Sequence, residues 1–128
     1  MKKAFVVGAY QRDTRHGAEL VRTMPQPVRR RYGSMLGGCF AAIDSNAKDA
    51  REARARAADD AAAGNDSWFH VACIDGLPGD AGSCAANVAK SRDAFDNRAS
   101  PAAVEPCLDP VRDHPAMQAV IGSMNLPA

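Results

Sequence analysis

Val28-Arg29-Arg30-Arg31-Tyr32-Gly33-Ser34-Met35-Leu36-Gly37-Gly38-Cys39-Phe40-Ala41-Ala42-Ile43 is the stretch whose reading decides the fold class. Its large apolar residues, Val28, Tyr32, Met35, Leu36, Cys39, Phe40 and Ile43, recur at intervals of three and four. At about 100° per residue they fall on one face of a helix. Pro27 suits the first helical turn, where its missing N–H goes unused anyway. Gly33, Gly37 and Gly38 each weaken such a helix by up to about 1 kcal/mol relative to Ala. Their expected use is close approach of another helix, either within the chain or from a second copy in a homodimer.

Working outward, Asp13 or Thr14 caps a shorter helix with Leu20, Val21 and Met24 on one side, and Pro25 and Pro27 stop it. On the other flank Asp44-Ser45-Asn46 breaks the chain, and Asn46 with Asp49 three residues on resembles a capping box. Residues 47–63 then read as an Ala-rich helix with a thin stripe of Ala50, Ala53, Ala57 and Ala61, closed by Gly64-Asn65. Beyond a Gly-rich loop, Ser83 is expected to cap a helix lined by Cys84, Val88, Phe95 and Ala99 and ended by Ser100-Pro101. Pro115 opens the last helix, with Met117, Val120, Ile121 and Met124 at helical spacing. Two short apolar runs, within residues 3–9 and 68–74, carry β-branched and aromatic side chains and read as strands. The expectation is a mainly α fold: a compact bundle of about five helices, with a small two-stranded sheet from residues 3–9 and 68–74. Trp68, Phe95, Val120 and Ile121 are expected to join the stripe of residues 28–43 in its core.

At 128 residues the chain has the usual size of one domain, so residues 1–128 are read as a single unit. Hydrophobic residues make up 46% of it, but 26 are alanine against 21 Val, Ile, Leu and Phe together, so the core is thin. A formal charge of only +1 argues against disorder. That balance conceals a division, since residues 1–64 carry 12 basic and 7 acidic side chains, whereas residues 65–128 carry 4 and 8. A basic half of this kind attracts acidic proteins or nucleic acid, or else is a solvated face.

No apolar run approaches the roughly 20 residues that span a bilayer, so no membrane partner is expected. Met1-Lys2-Lys3 followed by residues 4–9 resembles the start of a secretory signal, but the apolar core is too short and Gln11-Arg12-Asp13 follows at once. The expected location is cytoplasmic, and residue usage rich in Ala, Arg, Asp and Gly suggests a bacterial or phage coding sequence.

Candidate chemistry is sparse. Gly76, Gly79 and Gly82 precede a helix as in phosphate-binding loops, but the spacing fits no known fingerprint and Asp75 and Asp80 would repel an anion. Cys84, in a first helical turn, could be a thiolate nucleophile only with a base, for which His16, His70 and His114 are candidates. His70, Cys73, Cys84 and Cys107 supply zinc-ligand types without the paired short spacings of zinc sites. The four cysteines read instead as reduced, buried thiols. No catalytic residue, cofactor or metal is assigned. The leading expectation is a non-enzymatic protein-interaction module, such as a small inhibitor, immunity or accessory protein, that meets its partner through Arg22, Arg29, Arg30 and Arg31. The alternative is nucleic-acid binding by the basic N-terminal third, although three successive arginines on a helix diverge and aromatics amount to only 5%. A third reading is a thiol-dependent enzyme using Cys84.

Overall fold

A computed structural model of the chain describes residues 2–94, 96, 99 and 102–124, without the side chains of Lys2 and Arg31. The described residues are mainly helical and contain no strand. They fall into two compact units, Met1–Asp66 and Ser67–Ala128.

In the first unit, α1 (Lys2–Phe5) runs directly into a five-residue π-helix, Val6–Tyr10. It is followed by α2 (Thr14–Thr23), α3 (Gln26–Ile43) and α4 (Ala47–Ala62). Residues 3–9 are therefore helical and not a strand. What the sequence reading missed is that their buried members are Ala4, Gly8 and Ala9, while the branched Val6 and Val7 are only half-buried. A Cβ on Gly8 would lie 2.2 Å from Cε1 of the Phe40 ring, and one on Gly17 of α2 would lie 2.7 Å from the Gly8 Cα. This is close helix packing through glycine, and it requires the small residues to share a helical face.

The stripe on α3 is where the spacing put it. Met35, Leu36, Cys39 and Phe40 are buried, and Val28, Tyr32 and Ile43 at its ends are half-buried. The Cys39 thiol lies 3.9 Å from the Met35 sulfur. At the end of α3, Ser45 takes a left-handed φ of 59°, which lets the Asn46 N–H reach back to the Ala41 carbonyl at 2.8 Å. Asn46 then caps α4 by accepting from the Asp49 N–H at 3.2 Å, as the capping-box pattern implies. Ala53, Ala57 and Ala61 are the buried positions of α4, so this charged helix presents only methyl groups inward.

The second unit contains α5 (Trp68–Gly76), α6 (Ala81–Asp93), a 3-10 turn (Pro106–Leu108) and α7 (Pro115–Gly122). Residues 68–74 are thus also helix where a strand was expected. Every residue from Phe69 to Gly76 is buried, and a helix covered on all sides has no polar face to display a 3.6-residue period. Its one local signal was Ser67, whose hydroxyl caps α5 by accepting from the Phe69 N–H at 3.1 Å. Gly76 allows the 3-10 turn to approach, since a Cβ there would lie 2.6 Å from the Cys107 carbonyl oxygen. Asp80, rather than Ser83, caps α6, and that helix ends at Asp93 instead of continuing to Ala99. Of the residues expected to join the core, Val120 is buried, Trp68 and Ile121 are half-buried, and Phe95 lies outside the described residues.

Candidate functional site

Arg22 belongs to the last turn of α2, while Arg29 and Arg30 stand near the start of α3. Pro25 separates the two helices, so Arg22 and Arg29 flank the corner between α2 and α3, with Arg30 one residue further along α3. The Arg29 guanidinium donates through Nη1 to the Arg22 carbonyl at 3.3 Å, satisfying an acceptor that the end of α2 leaves open. Arg22, Arg29 and Arg30 are all exposed, and among the described residues none of them pairs with a carboxylate. The side chain of Arg31 lies outside the description.

The first turn of α3 has no acidic residue, and Pro25 supplies no side-chain cap. The positive end of the helix dipole and the arginines that follow therefore add to one another. Arg12, on the connection into α2, is also exposed and adopts a left-handed φ of 60°. The basic residues that do have an acidic neighbour lie apart from the corner, as with Arg15 and Glu19 at 4.0 Å on α2.

The thiols are disposed differently. Cys39 is buried in the first unit, Cys73, Cys84 and Cys107 are buried in the second, and none of the four forms a disulfide. Cys84 is fully covered, and burial pushes its thiol up to about 12, helped by the nearby charges of Asp75 and Asp80 and by Cys107. A group so held is a protonated thiol at neutral pH and not the nucleophile that thiol catalysis needs. Asp75 is buried beside it and accepts from the Asn87 side-chain amide at 2.8 Å. His16 sits on the exposed surface of α2 near Asp13, and His114 caps α7.

The glycine-rich loop also has a structural explanation. Gly79 takes a φ of 93°, so that the Asp80 N–H can close the end of α5 on the Asp75 carbonyl at 3.1 Å. The Asp80 carboxylate then occupies the start of α6, accepting from the Ser83 N–H at 3.2 Å, where a bound phosphate would otherwise sit. Among the described residues no three His, Cys, Asp or Glu side chains gather so as to hold a metal ion, and no helix is long and apolar enough to cross a membrane. No protein-family model, curated protein or solved structure matches the chain.

Proposed function

We propose that the chain is a non-enzymatic protein-interaction module, of the kind that acts as a small inhibitor, immunity or accessory protein by binding an acidic macromolecular partner. The observation that carries this reading is the basic α2–α3 corner, where Arg22, Arg29 and Arg30 are exposed and, among the described residues, none is paired with a carboxylate. Unpaired surface arginines beside a helix start gain little for the fold, whereas their planar forks match carboxylates on another molecule. They would act chiefly on the rate and specificity of association.

The same forks also fit phosphate, which keeps nucleic acid as the second reading. Thiol catalysis has no comparable support, because the sulfur it would use is enclosed and protonated. A pulldown from native host lysate with nuclease treatment tests the proposal, comparing the natural chain with an Arg22→Glu, Arg29→Glu, Arg30→Glu variant. An acidic protein captured by the natural chain and lost by the variant is the expected result. Capture that disappears with nuclease, together with an affinity falling linearly in the logarithm of salt, would transfer the corner to nucleic acid. Equal capture by both chains would remove the corner from function.

A further inference from the structure

The first helical segment is packed with its small residues inward. Together α1 and the π-helix that continues it bury Ala4, Gly8 and Ala9, whereas Phe5, Val6 and Val7 are half-buried and Tyr10 is 40% exposed. Large apolar side chains are thus left within reach of solvent in a chain that has few of them. The π-helix contributes to this arrangement. Its Gln11 N–H donates to the Val6 carbonyl, five residues back, at 2.9 Å, and in such a helix residues five apart come near one another. Phe5 and Tyr10 are five apart, and their rings meet edge to face with centroids separated by 4.9 Å. An ordinary α-helix would set them about 140° apart around its axis. In sequence, cations stand on either side of this pair: the first twelve residues include Lys2, Lys3 and Arg12 and no acidic side chain. Lys3 and Arg12 are exposed, and among the described residues neither pairs with a carboxylate. The first acidic residue, Asp13, is held at the start of α2, where it accepts from the His16 N–H at 3.1 Å.

We propose that this first helical segment docks the chain on an anionic lipid surface, with Phe5, Val6 and Tyr10 entering the headgroup boundary and Lys3 and Arg12 meeting the lipid charge. Lying on a bilayer requires no spanning helix, only an apolar side with cations placed about it. Tyrosine suits that depth, since its ring is apolar and its hydroxyl stays among the headgroups. A lipid surface also fits the size of the patch. A segment this short buries well under the roughly 800 Å² that each partner contributes to a stable protein interface. A bilayer supplements a small apolar contact with the attraction of its anionic headgroups for each nearby cation.

Cosedimentation of the full chain in dilute buffer with vesicles of phosphatidylcholine, alone or mixed in equal parts with phosphatidylglycerol, tests the docking. Binding to the mixed vesicles, absent from the neutral ones and reversed by salt, is the expected result. Lys3→Gln, at an exposed position, should weaken that binding about fivefold, the share of one cation near the surface. Tyr10→Ser should also weaken it, while helicity by circular dichroism stays unchanged. Failure to bind the mixed vesicles would overturn the proposal, as would equal binding by the natural chain, Lys3→Gln and Tyr10→Ser. The arginine corner is a separate reading, and its Arg22→Glu, Arg29→Glu, Arg30→Glu variant should still bind. Loss of vesicle binding in that variant alone would assign the attraction to the corner and sink the docking of the first helix.

Discussion

At the level of single residues, burial decides what Cys84 does. An exposed thiol ionises near pH 8.5, whereas this one holds its proton up to about 12. Folding therefore favours the protonated form, and the resulting stability is fully present below the lower value and is lost as pH rises towards the higher. Urea unfolding at about pH 7.5 and about pH 10 should show a loss of stability that is smaller in Cys84→Ala. Equal losses in the two proteins would mean that Cys84 is not shielded. A buried thiol was to be expected at Cys84, since it begins the stripe shared with Val88. The sequence could not disclose the neighbours that enforce protonation, because Asp75 and Cys107 reach it only through the approach of α5 and the 106–108 turn. The basic residues Arg22, Arg29 and Arg30 were plain in the sequence, but the Arg29 bond to the Arg22 carbonyl belongs to the folded chain.

Among the helices, glycine shows how identical residues take opposite roles. Gly8 has no room for a Cβ because Phe40 occupies the space, so Gly8→Ala should destabilise the protein by about 1–3 kcal/mol. Gly37 is exposed with nothing within 4 Å of where a Cβ would lie, so Gly37→Ala should stabilise α3 by up to about 1 kcal/mol. Thermal or urea unfolding of the two variants reads both signs, and a stable Gly8→Ala protein would refute the packing described here. Of Gly33, Gly37 and Gly38, expected to serve a close helix contact, Gly33 meets only Arg29 of its own helix, Gly37 has nothing within 4 Å and Gly38 is buried, while a close crossing through glycine occurs at Gly8 and Gly17. Leu36, completely buried on α3, should cost about 2–5 kcal/mol when truncated to Ala. Amphipathic α3 and the capped, Ala-striped α4 could be read from sequence because their period is displayed. By contrast, α1 buries small residues and α5 is covered all round, so neither shows a helical alternation of polar and apolar residues.

For the molecule as a whole, the charge division follows the two compact units. The first carries 12 basic and 8 acidic side chains and the second 4 and 7, a net of +4 against −3. Copies at low ionic strength should therefore attract one another weakly. Sedimentation should give an average mass above 13.5 kDa in dilute buffer, returning to it at about 0.5 M salt, where screening shortens the range of such forces to a few ångströms. Association unaffected by salt would rule out this electrostatic attraction as its cause. The thiols have a further consequence at this scale. One is enclosed in the first unit and three in the second, and a thiol reagent can reach them only when the surrounding structure opens. The chain thus contains its own pair of clocks. Counting how fast one and then three alkyl groups are added, by mass, would time the breathing of each unit separately without any introduced probe.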